Sequence, residues 1–127
     1  MQTPRSKWFK DAELECKCGE RKGFHCQTPE FSGAFLSILD RIREDDAWSK
    51  PLIVTSALRC ESHNYRVGGS KNSYHLQGLA IDLKIKPLEV LPFLDIARRY
   101  RLITGIGIGK GFVHLDIAPG KRRFWTY

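Results

Sequence analysis

The sequence lacks any long hydrophobic run. Its longest apolar stretches, such as Pro51-Leu52-Ile53-Val54, have the length of a strand, whereas a membrane-spanning helix needs about 20 apolar residues. No apolar segment follows the basic residues near the amino terminus, so no secretory signal is visible. We therefore expect no membrane span, and synthesis in the cytoplasm without a signal peptide.

Acidic residues are scarce relative to basic ones. The chain has 14 Asp and Glu against 21 Lys and Arg, which gives a formal net charge of +7. Such a surface attracts polyanions, including nucleic acid, anionic lipid and the anionic polymers of a bacterial envelope. The densest basic group, Lys121 to Arg123, fits a solvated tail and a binding patch equally well. No recognition helix, finger or aromatic RNA-binding motif accompanies it, so we expect no specific nucleic-acid partner.

Cysteine is also sparse, and the spacing of the four residues does not define their use. Cys16 and Cys18 are separated by one residue, which is tighter than the roughly two to four residues usual between zinc-ribbon ligands. A small structural metal site that includes His25 and Cys26 is one interpretation. Buried thiols and a single disulfide are the others, and the sequence leaves all three open.

The first part of the chain predicts one strong helix. Residues 1–27 are polar and loop-rich, with a short helix around residues 10–15. Thr28 is a good N-cap and Pro29 is tolerated at the first helical position, so a core-packing helix is predicted from here to Glu44. Its apolar face repeats at helical spacing: Phe31, Phe35, Ile38, Leu39 and Ile42.

The rest of the chain predicts strands, one helix and a polar loop of a length that is usually functional. The predicted elements are a buried strand at 52–55, the loop at 56–78, a strand at 79–85, a helix from Pro87 to about Tyr100 with apolar positions Leu88, Leu91, Leu94 and Ala97, and strands at 105–109 and 112–117. The 127 residues fit a single small α+β domain, with the helix and the catalytic sheet in residues 28–127. The sheet is expected to be mainly antiparallel, with helices packed on one face.

Side-chain alternation sorts two of these strands into an apolar and a polar face. In 79–85 the odd positions are aliphatic, and Asp82 lies on the opposite side. In 112–117 the odd positions are again aliphatic, and His114 and Asp116 share the other side. If the two strands are neighbours, these three side chains converge. His75 stands seven residues before Asp82, where the long loop runs into its strand.

Two imidazoles and one carboxylate form the ligand set of a catalytic zinc site. Zinc lowers the pKa of its bound water and polarises a carbonyl oxygen, which are the two requirements for amide hydrolysis. The alternative is an iron site that uses His114-Leu115-Asp116. That pattern expects a second histidine downstream, and no histidine follows His114.

These residues lie within a longer pattern that resembles the D-alanyl-D-alanine metallopeptidase family, the zinc carboxypeptidases and endopeptidases of peptidoglycan, which include phage endolysins. The matching positions are Ser56-Ala57-Leu58-Arg59, His63-Asn64, Val67-Gly68-Gly69, Ser73-Tyr74-His75, Gly78, Ala80 and Asp82, then Gly105-Ile106-Gly107 and Phe112 to Asp116. The resemblance covers nearly the whole chain in the expected order, because the opening Phe9 to Leu14 and Cys16 to Gly19 also fit.

The resemblance implies a role for each matching residue. His75, Asp82 and His114 would hold Zn²⁺ in a cleft on the sheet face opposite the helices. Arg59 would bind the substrate carbonyl and support the oxyanion, for which a planar guanidinium is suited. A structural ion pair is the alternative for Arg59. Ser73 would hydrogen-bond substrate or a ligand.

The sequence departs from the family where the general base is expected. Relatives place an acid three residues before the last ligand or a histidine two before it, and this chain has Gly111 and Phe112 there. Asp116 is the remaining candidate, about 7 Å along the strand from His114 at about 3.3 Å per residue. It would either accept a proton or orient His114.

The resemblance implies a zinc metallopeptidase that cleaves peptidoglycan stem peptides or cross-links. It would act at the bacterial cell wall or periplasm as a monomer, and anionic envelope polymers are possible further partners. The missing signal and the basic charge suit a phage or prophage lysis enzyme. The alternative is a non-catalytic zinc-containing module on the same scaffold that binds wall peptides or a protein.

Overall fold

A β-sheet lies at the centre of the structure, a computed structural model that describes residues 6–21 and 26–127. Its strands are β1 Ile53–Ser56, β2 Ala80–Lys84, β3 Gly105–Gly109, β4 Phe112–Asp116 and β5 Arg123–Thr126. Within the described ranges the five strands have the order β1-β2-β4-β3-β5. All neighbours are antiparallel except β3 and β5, which are parallel. The predicted mainly antiparallel sheet is confirmed.

The helices of the described residues are α1 Asp11–Leu14, α2 Gly33–Glu44, α3 Glu61–Arg66 and α4 Val90–Ala97, with 3₁₀ turns at Tyr74–Gln77 and Pro87–Glu89. Helices α2 and α4 pack against the aliphatic side of the sheet, whereas α3 lies next to the 3₁₀ turn that carries His75. One core joins the apolar sides of α2 and α4 to Ile81, Leu83, Val113 and Leu115, the alternate residues of β2 and β4. The α+β class is therefore confirmed. Across residues 6–21 and 26–127, no helix has both the length and the apolar character that a membrane crossing requires.

Helix α2 begins later than predicted. Ser32, not Thr28, is its N-cap, and the Ser32 hydroxyl accepts a hydrogen bond of 3.2 Å from the Phe35 N–H. The Ser32 N–H also donates to the Gly78 carbonyl at 2.9 Å, so a contact with the distant loop holds the preceding residues out of the helix. The predicted end at Glu44 is confirmed.

Helix α4 buries only the second half of the predicted face, since Ala97 is buried and Leu94 packs against the core. Leu88 and Leu91 are 95% and 78% exposed, whereas Phe93 and Ile96 are buried. The predicted positions followed each other in steps of three residues, and each such step falls about 60° short of a full helical turn. They therefore drift around the helix. The first turn is also 3₁₀ rather than α-helical, which moves Leu88 out of the helix.

Three further predictions about the elements are wrong. The 56–78 loop is not irregular throughout, since it contains α3 and the turn that carries His75. Strand β1 is an edge strand with exposed or half-exposed residues, not a buried strand. The strand at 112–117 was predicted as the last one, but Arg123–Thr126 follows it and pairs with β3 as β5. His25 lies outside the described residues.

The orientation of α4 predicts unequal effects of two substitutions. Phe93→Ala should lower the free energy of unfolding by about 3–5 kcal/mol, because the ring is fully buried and packs on Trp48 with centroids 5.3 Å apart. Leu91→Ala should change it by no more than about 0.5 kcal/mol, because that side chain is exposed. Urea denaturation of both variants measures the difference. Equal losses would contradict this orientation.

Candidate metal centre

The register of β2 and β4 places the polar side chains of both strands side by side. Asp82 is directly opposite His114, and Ala80 is opposite Asp116. His75 reaches the same point from the neighbouring 3₁₀ turn, where the Ser73 hydroxyl caps the first turn by accepting the His75 N–H at 3.2 Å. The structure thus brings together the three residues that the sequence predicted as a metal-binding group.

One oxygen of Asp82 is the point on which both imidazoles converge. Asp82 Oδ1 lies 3.3 Å from His75 Nε2 and 2.9 Å from His114 Nδ1. The three ligand atoms lie within 4.8 Å of one another, and all three residues are buried. Donors at about 2.0–2.2 Å from a tetrahedral zinc ion are about 3.3 Å apart. The observed separations therefore fit one metal ion.

Each imidazole uses its other ring nitrogen in a hydrogen bond, which leaves His75 Nε2 and His114 Nδ1 directed at the centre of the cluster. His75 Nδ1 donates to the Ala57 carbonyl at 2.7 Å, which leaves the lone pair on Nε2. His114 Nε2 donates to Asp116 Oδ2 at 2.8 Å, which leaves Nδ1. Acceptors of this kind orient metal-binding histidines in proteins. The hydrogen bonds therefore support metal ligation independently of the distances.

The electrostatics of the cluster favour a positive charge at its centre. Burial alone would raise the pKa of Asp82, but when no metal is bound its hydrogen bonds with His114 and His75 outweigh burial and hold that pKa well below its usual range. Burial would likewise lower the pKa of His114, but its hydrogen bonds to Asp116 and Asp82 raise it. The same carboxylates that hold a proton on His114 would attract a divalent cation.

Arg59 is fixed by three partners on one side of the cluster. Its Nε donates to Ser56 Oγ at 3.0 Å, its Nη1 to Asn64 Oδ1 at 3.1 Å and its Nη2 to Asp82 Oδ2 at 3.2 Å. Asn64 is itself held, since its Nδ2 donates to the Ser70 carbonyl at 2.8 Å. The ion pair with Asp82 leaves the other oxygen of that carboxylate facing the imidazoles.

Asp116 is fully buried, and both of its oxygens accept hydrogen bonds. Oδ2 contacts His114, while Oδ1 accepts from the Ala118 N–H at 3.1 Å and from Arg123. Burial would raise its pKa, but the hydrogen bonds from His114 and Ala118 lower it. Asp116 is therefore ionised, and its oxygens are directed at protein donors.

Two glycines of β3 make room for this arrangement. A Cβ on Gly105 would collide with the Asp116 carboxylate and with Arg123, and a Cβ on Gly107 would lie 2.5 Å from the Trp125 ring. Trp125 packs on His114 with ring centroids 5.2 Å apart. Sequence reasoning missed the contribution of Arg123 and Trp125. The alternating glycines of 105–109 were the available signal, because they create a trough on one face of a strand.

The cluster lies in a pocket of about 560 Å³. Arg59, Ser73 and the three potential ligands line it together with the 67–70 loop, and Trp125 and Tyr127 form an aromatic wall. A pocket of this size accommodates a short peptide segment. The predicted cleft opposite the helices is therefore present, and all six predicted site residues contribute to it.

Comparisons with known proteins identify the family. A family model described as peptidase M15 matches residues 7–116, a range that includes all six of these residues. The zinc D-Ala-D-Ala carboxypeptidase of Streptomyces albus G is 33% identical over 79 residues. The match covers 61% of this chain and 31% of that protein, so the chain spans about a third of the relative's length. The family and this relative point to Zn²⁺ as the metal. The chain belongs to the peptidase M15 family.

Proposed function

We propose that the protein is a zinc metallopeptidase that hydrolyses peptide bonds in bacterial peptidoglycan, in stem peptides ending in D-Ala-D-Ala or in cross-links. One observation carries the proposal: His75 Nε2, Asp82 Oδ1 and His114 Nδ1 converge in a pocket, with their supporting hydrogen bonds in place. Bound at this point, zinc supplies an acidified water and a Lewis acid for a carbonyl oxygen.

Arg59 is proposed to bind the carbonyl oxygen of the substrate. A guanidinium has five N–H groups, and the three partners described above use three of them. Two N–H groups remain on a side chain that lines the pocket next to the metal ligands. Planar, permanently charged donors at this position stabilise negative charge that develops on an oxygen. Ser73 lines the same pocket, and its hydroxyl proton is a further donor to substrate.

Asp116 is proposed to position His114 rather than to accept a proton from water. Its side chain is buried, and each oxygen already accepts from a protein donor. A proton acceptor needs an oxygen within reach of the reacting water. The carboxylate instead holds the His114 ring in the orientation that presents Nδ1 to the metal.

A non-catalytic wall-peptide or protein-binding module is the competing function. This function is favoured because no carboxylate of the pocket is placed to act as a general base. Among the described residues, the carboxylates that line the pocket are Asp82 and Asp116. One is a proposed ligand and the other is buried, so neither is an exposed general base. At the position where relatives carry an acid, Gly111 has a φ of +79°, which disfavours any other side chain.

The proposed site of action is the bacterial cell wall, including lysis by a phage or prophage. The net charge of +7 supports this setting, because anionic envelope polymers would concentrate a basic enzyme at its substrate. Salt weakens attraction of this kind. If this attraction operates, the protein should adsorb to isolated walls at low salt and not at high salt. Cleavage of a soluble peptide should persist at high salt.

The peptidase proposal predicts that the zinc-loaded protein clears purified murein in a zymogram. Chelation or His75→Ala should abolish clearing, because the metal would lose its site. His63→Ala is the matched control and should retain activity, since His63 lies outside the metal cluster. Mass spectrometry of the digest identifies the bond: free D-alanine marks a carboxypeptidase, and loss of cross-linked dimers marks an endopeptidase. If folded, zinc-loaded protein produces neither change in murein, the peptidase proposal is wrong and the non-catalytic binding module is the remaining function.

The role of Arg59 predicts a loss of kcat with the metal retained. Arg59→Lys keeps a cation beside Asp82 but removes the planar set of donors, so kcat should fall on the order of 100-fold. Arg66→Lys, an exposed change at the end of α3, should leave kcat unchanged. Steady-state kinetics and zinc analysis test both variants. A normal kcat in Arg59→Lys would reduce Arg59 to an ion-pair role.

The role of Asp116 predicts a change in metal affinity. Asp116→Asn keeps the shape but removes the charge behind His114, so zinc affinity should fall about 10–100-fold in a chelator competition. Asp95→Asn, at a surface carboxylate whose side chain is 65% exposed, is the control. Unchanged zinc affinity together with a reduced kcat would instead identify Asp116 as a catalytic acid or base.

A further inference from the structure

All four cysteines of the chain meet at a second site, away from the candidate metal centre. The Sγ atoms of Cys16, Cys18, Cys26 and Cys60 lie within 4.8 Å of one another. Three of these residues are buried, and Cys18 is half-buried. All four are thiols in the structure. They come from two distant parts of the chain, so the fold and not the local sequence brings them together.

The sulfur separations match a single tetrahedral ion. Zn–S bonds of about 2.3 Å place tetrahedral sulfur ligands about 3.8 Å apart. Cys16 Sγ and Cys60 Sγ are 3.7 Å apart, and no pair in the cluster exceeds 4.8 Å. A disulfide would use only two of these sulfurs and would leave two thiols beside it. Four convergent sulfurs are a complete ligand set for zinc, with no position left for water.

Backbone N–H groups point at the sulfurs, as expected around thiolates that bind a metal. The Cys60 N–H donates to Cys16 Sγ at 3.4 Å, and the Glu20 N–H donates to Cys18 Sγ at 3.3 Å. The Ser62 hydroxyl lies 3.5 Å from Cys60 Sγ. Hydrogen bonds to charged groups are stronger than those to neutral ones, so these donors stabilise sulfur in its anionic form.

We propose that Cys16, Cys18, Cys26 and Cys60 bind a structural zinc ion, distinct from the candidate catalytic metal. The ion would fasten the amino-terminal segment to the residues around Arg59. A backbone hydrogen bond of 3.0 Å from the Leu58 N–H to the Leu14 carbonyl already joins the same two segments. The close Cys16-Lys17-Cys18 spacing places two ligands on one short segment, and Cys26 and Cys60 close the site.

Zinc analysis of the full chain, purified under reducing conditions, tests this proposal separately from the peptidase function. Wild type should contain about two zinc ions per chain. Cys16→Ser and Cys26→Ser should each reduce the content to about one, and His75→Ala should also leave about one. Glu61→Gln, an exposed change next to Cys60 that removes neither a sulfur nor a donor to the sulfurs, should retain both. Cysteine variants that keep the wild-type zinc content would overturn the proposal, whatever the activity.

Cobalt substitution gives a readout on wild type and does not depend on whether a cysteine variant folds. Co²⁺ at this site should show an intense sulfur-to-metal charge-transfer band and the visible bands of tetrahedral cobalt. His75→Ala should keep these bands, because it affects only the other site. Absence of these bands in the wild-type protein would show that this is not a zinc site. Disulfides that persist under reducing conditions, or iron in place of zinc, would show the same.

Discussion

The site depends on one buried interaction, the contact of Asp82 Oδ1 with two imidazoles. A buried carboxylate is costly unless donors or a cation surround it. Here His75 and His114 approach one oxygen, and Arg59 holds the other. Other polar contacts nearby serve this arrangement: the Ser73 cap, the Ala57 carbonyl and the Asp116 carboxylate all orient an imidazole. The group is therefore arranged around a positive charge, which a proton or a metal ion can supply.

The sheet register extends this constraint beyond the ligands. One row across the sheet contains Asp82, His114, Gly107 and Trp125, and the next contains Ala80, Asp116, Gly105 and Arg123. Each row needs a glycine in β3, because a Cβ on Gly105 would collide with Asp116 and Arg123, and a Cβ on Gly107 would collide with Trp125. A shift of β4 by one residue against its neighbours would move His114 and Asp116 to the apolar core face. Register and side-chain size together position the metal ligands.

Patterns within single strands predicted part of the candidate site and the family resemblance added Arg59 and Ser73, whereas contacts between distant segments were not predictable. Asp82, His114 and Asp116 followed from alternation, which depends only on the strand backbone. Strand β5 could not be predicted in this way, since it exists through parallel pairing with β3. The face of α4 was predicted only in part, because positions three residues apart drift around a helix and because a 3₁₀ turn precedes α4. The cysteine cluster is the clearest case, because Cys60 contacts Cys16 across a separation of 44 residues in the sequence.

Four consecutive residues connect the two clusters. Ala57 accepts from His75, Leu58 bonds to Leu14, Arg59 pairs with Asp82, and Cys60 belongs to the sulfur cluster. These residues follow directly after β1, an edge strand, and Cys60 is the N-cap of the short helix α3. Edge positions and short elements offer little rigidity of their own. The positions of the Arg59 side chain and of the Ala57 carbonyl, which accepts from His75, must therefore be fixed by the contacts at each end of this segment. A metal ion on the cysteines would hold one end, and the Asp82 cluster holds the other.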